Sequence, residues 1–389
     1  MNLLYLVSNI KHKWVVFSVF NCMVFFFGVC VIFLDPFLSF LAQRKLEYSF
    51  TPDNWMDPLV DCEFSYYKQG ITREMIEFTW RKLSRKPNFE RYKIINSKIY
   101  GPNSPIKRLL KAMVQKYKVP DVDFIYYSHD ILRESFFKGK WKKKRAPVFT
   151  SAKNRNSNRS ILVIDWYYDI ENLSSGWNAL IQEVNRNQMV WKWDKKVEKL
   201  FWRGSAVDGC YNCGNWKNLP RGRLVHESQN DTEIDAAFSY STYEFYLPEA
   251  LSLASFVHPV DQMKYKYHID IDGVTCTFLA LQWKLLSGCL LFKQSSADAM
   301  WFYPELIPWK HFVPVYTDLR DIKEKISWAK THDAEARQIA QNGREFALTH
   351  LMPEHILLYC YKTICRYAAL QKFHPKVTKK EMSNLNKEF

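Results

Sequence analysis

From Trp14 to Leu34 the chain carries no charged residue. At about 1.5 Å per residue, a helix of that stretch reaches across a hydrocarbon core of roughly 30 Å. Asp35-Pro36 ends it, because an ionised carboxylate and a residue without an amide donor both fit poorly in lipid-exposed helix. The run is long for the apolar part of a cleaved signal peptide and lacks a clear small-x-small cleavage site; a buried core helix is the other alternative. An uncleaved signal anchor is the favoured reading. Residues 1–13 are then a short tail, 14–34 a single transmembrane anchor and 35–54 a linker. Lys11 and Lys13 precede the span and Arg44 and Lys45 come after it, so the positive-inside rule leaves its orientation open. The expected location is a membrane, that of the Golgi or endoplasmic reticulum in a eukaryote and the inner membrane in a bacterium. The final Asn-Lys-Glu-Phe389 is not a retrieval signal for soluble residents.

Beyond the anchor, a chain of 389 residues with 47% hydrophobic and 16% aromatic content has ample length to bury a large core. The net charge is +15, and Lys138, Lys140, Lys142, Lys143, Lys144 and Arg145 crowd around Trp141. Such a run suits anionic headgroups or a phosphorylated glycolipid, or is simply a solvated basic loop. No zinc-finger, basic-zipper or RNA-recognition signature accompanies it, so nucleic acid is not an expected partner. Of nine cysteines, Cys22 and Cys30 fall in the apolar span, which leaves an odd seven. Cys210-Tyr-Asn-Cys213 is a single pair without a second pair or matching histidines, so it reads as a loop disulfide or two free thiols before it reads as zinc. Asn158, Asn172 and Asn230 each open an Asn-x-Ser/Thr sequence, which permits glycosylation in a secretory lumen.

Strand-like and helix-like stretches alternate along the rest of the chain, the pattern of an α/β layer fold. In a first half, 55–195, the helical stretches are Ile71 to Leu83, starting at Thr72-x-x-Met75, and Ser104 to Tyr117. The strand candidates there are Phe124 to Tyr127 and Ile161 to Ile164. In a second half, 196–370, strand candidates are Lys199 to Trp202, Ser255 to His258, Cys289 to Lys293 and Phe312 to Val315. A helix over Asp318 to Lys330 comes next, with Leu319, Ile322, Ile326 and Ala329 at helical spacing and Thr317 or Asp318 placed to cap it. Asp333 to Phe346 and Pro353 to Tyr367 are further helices, and 371–389 is a basic tail. The expected architecture is two α/β halves facing a cleft.

Several segments carry chemistry. Lys199-Leu-Phe-Trp-Arg-Gly-Ser205 reads as a strand entering a tight turn, with Arg203 beside Gly204, which permits close backbone approach, and Ser205 supplying a hydroxyl. Arg221-Gly-Arg223 offers two guanidinium groups that can fork onto phosphate oxygens. Tyr265-Lys-Tyr-His-Ile-Asp-Ile-Asp-Gly-Val-Thr-Cys-Thr-Phe278 is an aromatic strand reaching a turn at Gly273. Its residues Val274, Thr275, Cys276, Thr277 and Phe278 could cradle a phosphate with their amides at a helix start. Asp270 and Asp272 read as turn and capping residues before they read as metal ligands. No metal site is expected.

Phe201-Trp-Arg-Gly-Ser205, then Tyr265-Lys-Tyr267 with Asp270-Ile-Asp-Gly273, then Trp309-Lys-His-Phe-Val-Pro-Val315 with Asp318-Leu319, then Ile339-Ala-Gln-Asn-Gly343 occur in that order. The succession, spanning about residues 55 to 370, resembles glycosyltransferase family 90, a group of protein O-glucosyl- and O-xylosyltransferases, capsule-associated xylosyltransferases and lipopolysaccharide-modifying enzymes. The resemblance implies a GT-B fold of two Rossmann-like halves, a UDP-sugar donor, a protein, glycan or glycolipid acceptor, and an inverting displacement without a cofactor or bound metal. Pro120-Asp-Val-Asp-Phe-Ile-Tyr-Tyr-Ser-His-Asp130 matches the family stretch that ends in its catalytic aspartate, which makes Asp130 the implied base. Ser205, Arg221 and the turn from Val274 to Phe278 match the donor-binding positions, with Arg223 as the alternative to Arg221. The family's protein O-glucosyltransferases carry an arginine directly after the turn and its aromatic. This chain has Leu279 there, and Lys284, five residues on, is the basic residue that could replace it. The same departure keeps a second reading open, a catalytically weak or inactive sugar- or nucleotide-binding member of the fold.

Overall fold

The computed structural model describes residues 55–137, 139, 144–163, 176–207, 209, 214–240, 253–378 and 381. The apolar stretch 14–34, most of the basic run around Trp141, and Cys210 with Cys213 lie outside them. Among the described residues no helix is long and apolar enough to cross a membrane. The chain divides into two compact units, Met1–Trp55 and Met56–Phe389, and all of the described helices and strands belong to the second.

Helix α1 (Met56–Glu63) leads to α2 (Arg73–Leu83). Thr72 is extended, and its hydroxyl accepts from the Met75 amide at 3.3 Å, which satisfies one of the donors a helix start leaves open. Strands β1 (Phe89–Ile95) and β2 (Lys98–Tyr100) form a hairpin through Asn96 and Ser97, both at positive φ as a two-residue turn of this hand requires. Helix α3 (Pro105–Lys116) then precedes β3 (Val122–Tyr127), β4 (Val148–Thr150), the short β5 (Lys153–Asn154) and β6 (Ser160–Leu162). The first sheet runs β2-β1-β3-β4-β6; β3, β4 and β6 are parallel, whereas β1 lies antiparallel to both of its neighbours. This half is therefore a mixed sheet and not a complete Rossmann unit.

After α4 (Gly176–Gln188) come β7 (Val197–Ser205), α5 (Pro220–Ser228), β8 (Ile234–Tyr240), the single turn α6 (Pro259–Gln262), β9 (Tyr265–Asp270), α7 (Leu279–Leu286), β10 (Leu290–Gln294), β11 (Asp298–Ala299) and β12 (Val313–Val315). The second sheet is parallel throughout, in the order β12-β10-β9-β7-β8. Burial on both faces explains its strands, which read as near-continuous apolar runs: Leu200, Ile269, Leu290, Phe292 and Val313 are wholly buried. Chain order reverses between β7 and β9, since β8 lies on one side of β7 and β9, β10 and β12 lie on the other. A crevice opens outside the carboxyl ends of the strands at such a point.

Helices α8 (Ile322–Thr331), α9 (Asp333–His350) and α10 (Pro353–Leu370) complete the chain. Three expectations need correction. Ser255 to His258 is not a strand: it is irregular, with Phe256 exposed and His258 beside Glu183 at 3.6 Å. Helix α8 starts four residues later than the spacing predicts. Leu319 turns at positive φ, the Asp318 carboxylate accepts from the Arg320 amide rather than from an amide of the helix, and Thr317 donates its hydroxyl to the Ser295 carbonyl, so neither caps the helix. Helix α9 runs four residues past the expected end at Phe346, to His350, and Gly343 lies inside it, where a Cβ would come within 2.6 Å of the His311 carbonyl.

The halves also exchange helices. In α10, the Tyr359 and Tyr367 hydroxyls donate to the carbonyls of Leu162 and Asp123 in the first half, at 3.3 and 2.7 Å. In return α4 packs on α7, with its Trp177 indole donating to the Leu351 carbonyl at 2.7 Å. A two-residue antiparallel ladder of β5 with β11 adds a direct link.

Candidate active site

The carboxyl end of β3 points Tyr127 into the core, and three residues later the chain bends at half-buried Asp130. Across from it, β7 ends in Trp202-Arg-Gly-Ser205 and β9 in Asp270, which leads into the turn to Phe278. One pocket of about 380 Å³ collects these segments. It is lined by Asp130, Arg203, Gly204, Ser205, Arg221, Gly273 and Lys284 together with the turn Val274, Thr275, Cys276, Thr277 and Phe278. Its place is the one the strand order dictates, the crevice between β7 and β9 where the chain reverses. Trp202 and Ile271, inside two of the quoted motifs but given no role there, line it as well, as do Val207 and Ala280, which no sequence signal singled out.

Gly204 is required by packing, because a Cβ there would lie 2.5 Å from the Trp202 ring. Phe278 has φ 49° and ψ −119°, a sparsely populated conformation for a non-glycine residue, held where the turn enters α7. The turn and Ala280 in the first turn of that helix line the pocket, so the helix's amino end lies at its wall, although the Gly273, Ala280 and Leu281 amides are spent on the carbonyls of Thr275, Thr277 and Phe278.

Three of the charged residues expected at the site are placed otherwise. Arg223 is outside the pocket, where it donates to the Asp318 carbonyl at 2.7 Å. Arg221 lines the pocket but is a brace: its nitrogens donate to the carbonyls of Asp272, Ser205 and Ile271 at 3.0, 2.8 and 2.9 Å. That ties the ends of β7 and β9 together. Asp270 is no turn residue. It is fully buried below the pocket, accepts from Lys293 Nζ at 3.0 Å and from the Thr277 hydroxyl, and has Lys284 Nζ 3.9 Å away. Burial pushes the Asp270 carboxyl up, but Lys293, Lys284 and Thr277 together hold it below the usual carboxylate range. Asp272 goes the other way: burial of its carboxyl raises it, while its amide donates to Gln294 Oε1 at 2.9 Å.

Lys284, from α7, donates to the Ile269 carbonyl at 2.8 Å, and burial lowers its pKa to about 8. The Cys276 thiol is pushed up to about 12 by burial, which makes it a packing group and not a nucleophile. Arg133, which the sequence did not single out, reaches over from the first half. It donates to the Val274 carbonyl at 2.9 Å and to Asp298 at 3.3 Å, and Asp298 in turn accepts from Thr275 at 3.1 Å. The turn is thus fixed from both halves. Arg145, counted in the basic run, is wholly buried on Glu134 at 2.7 Å and is not available to an anionic partner.

A family model for glycosyl transferase family 90 matches residues 59–388. The chain belongs to glycosyl transferase family 90. It is a transferase by that membership. Protein O-glucosyltransferase 2 of Danio rerio is 33% identical over 277 residues, 69% of this chain and 51% of that protein. Protein O-glucosyltransferase 1 of Bos taurus is 24% identical over 337 residues, 81% of this chain and 80% of that protein. Protein O-glucosyltransferase 3 of Homo sapiens is 32% identical over 187 residues, 48% and 34% of the two chains. The chain spans about half the length of the first of these relatives and about four fifths of the second. A solved glycosyltransferase from Rickettsia africae ESF-5 aligns at a TM-score of 0.34 and 10% identity over 57% of this chain and 64% of that one, too distant a likeness to bear on the fold.

Proposed function

We propose that this family 90 member moves a sugar, glucose first and xylose as its nearest competitor, from a UDP-sugar to a hydroxyl of a protein acceptor by an inverting displacement. The observation that carries the reading is that one pocket is lined by Asp130 from the first half and by the turn 273–278 from the second. The names of the relatives, all protein O-glucosyltransferases, support glucose and a protein acceptor over a glycan or glycolipid.

In this reading the donor's diphosphate lies over the turn and the amino end of α7, with Ser205 at its edge and Arg221 bracing the floor. Asp130 takes the proton of the acceptor hydroxyl as that oxygen attacks the anomeric carbon from the face opposite UDP. Charge that builds on the leaving diphosphate meets preorganised amides and buried cations, an arrangement worth several kcal/mol, roughly 3, in other enzymes. UDP release by purified protein across several UDP-sugars tests the reading. Release above background with UDP-glucose or UDP-xylose is expected, unchanged by a strong chelator; release restored only by manganese or magnesium would overturn the metal-free mechanism. We also propose that 14–34 anchors the chain in a membrane. Removal of residues 1–41 should then move the protein from the membrane to the soluble fraction with turnover intact.

A further inference from the structure

Three cations line the donor pocket: Arg203 on β7 is paired with Asp235 at 2.7 Å, and Arg221 on α5 and Lys284 on α7 are bound in different ways. Arg221 spends its fork on three strand-end carbonyls. Lys284 makes one hydrogen bond among the described residues, to the Ile269 carbonyl, which leaves two of its three N–H groups for a ligand. Beneath it, Asp270 is level with Lys293 in the β9–β10 ladder and faces Lys284 on its other oxygen. The same carboxylate accepts from the hydroxyl of Thr277, a pocket-lining residue of the turn. One buried acid therefore touches the cation and the turn that a diphosphate would meet.

We infer that Asp270 is a positioning residue that holds Thr277 and the Lys284 ammonium in place below the pocket, that Lys284 is the cation presented to the diphosphate, and that donor binding is therefore controlled by pH. This rests on the UDP-sugar reading. Lys284 also takes over the task of the arginine whose place Leu279 occupies.

The charges around Lys284 set the direction. Asp270 at the end of β9 favours the ammonium, whereas burial, Arg221 on α5 and Lys293 on β10 disfavour it. Helix α9, packed on the same helix, puts Arg344 on the Leu286 carbonyl, and α4 brings the neutral Gln188 to the Ser287 carbonyl. The balance leaves the ammonium charged below pH about 8 and neutral above it. Attraction for a diphosphate is accordingly full at lower pH and lost as pH rises through that value. Without the Asp270 charge the remaining influences all oppose the ammonium, so the loss moves to lower pH.

Calorimetric titration of UDP into the full-length protein between pH 6 and 9, with Lys284→Met, Lys284→Arg and Asp270→Asn beside the wild type, tests this. Ionisation of UDP is common to all four proteins and cancels in their ratios. Wild-type affinity should fall roughly tenfold from pH 7 to 9 relative to Lys284→Arg, as one group titrating near 8 dictates. Lys284→Met should bind at least about tenfold more weakly at pH 7, with no such slope. Asp270→Asn should be weak at pH 7.5 and recover toward pH 6; if its melting curve shows it unfolded, the two Lys284 variants decide alone. Lys284→Met binding as tightly as the wild type with the same pH curve would overturn the inference. Failure of the wild type to bind UDP at any pH would instead sink the donor reading itself.

Discussion

The two halves of the molecule are built to different rules. The second has an all-parallel sheet with an apolar interior of mixed aliphatic and aromatic side chains, and at its strand ends a carboxylate, Asp270, sits fully buried with Lys293 and within 4 Å of Lys284. The first has a mixed sheet closed by a hairpin, and its core is aromatic: the rings of Phe124 and Tyr367 pack on Phe149 at 4.9 and 5.4 Å. It brings to the pocket Asp130, on a half-buried bend. A site for a charged, invariant ligand calls for fixed dipoles and cations in a dry place; a group that must exchange a proton with an incoming acceptor needs access. Burial is thus concentrated where binding is expected and relaxed where chemistry is expected.

The sharpest break between the halves is kinetic. Asp130→Asn keeps the shape and removes proton acceptance, so turnover should fall by roughly 10² to 10⁴ in a UDP-release assay. Next comes the buried ion cluster. Lys293→Met leaves Asp270 short of its nearest cation, and such a loss costs on the order of 3 kcal/mol in denaturant unfolding. Arg221→Ala unties the ends of β7 and β9; it should lower stability by about 2 kcal/mol and weaken UDP binding along with the rate, by titration and turnover together. The smallest effect belongs to the first half's core: Tyr367→Phe removes one hydrogen bond, to the Asp123 carbonyl, and should cost about 1 kcal/mol in stability with turnover unchanged.

Much of this was legible in the sequence because it depends on local pattern. Phe124 to Tyr127 and Phe312 to Val315 are short apolar runs, and both coincide with strands to within two residues. Thr72 caps its helix as its spacing to Met75 predicts. The pocket residues were found because they lie on a few short segments at strand ends. What escaped depends on long-range meetings. Nothing near Asp270 announces that Lys284 and Lys293, 14 and 23 residues later, converge on it, so a turn was the natural reading. Arg133 likewise gains meaning only from the Val274 carbonyl, 141 residues away. The exchange of α4 and α10 between the halves was hidden for the same reason, since sequence order assigns each helix to the half it adjoins. Ser255 to His258 has the composition of a strand but among the described residues has no strand to pair with, and composition alone does not supply one.

The division of labour between the halves is tested most directly by the affinity of Asp130→Asn for UDP, measured by calorimetry beside the wild type at pH 7. The account predicts dissociation constants within about twofold of each other, because Asp130 serves the proton transfer and the second half holds the nucleotide. A tenfold or greater loss of UDP affinity in a folded Asp130→Asn protein, or full turnover in it, would contradict that division.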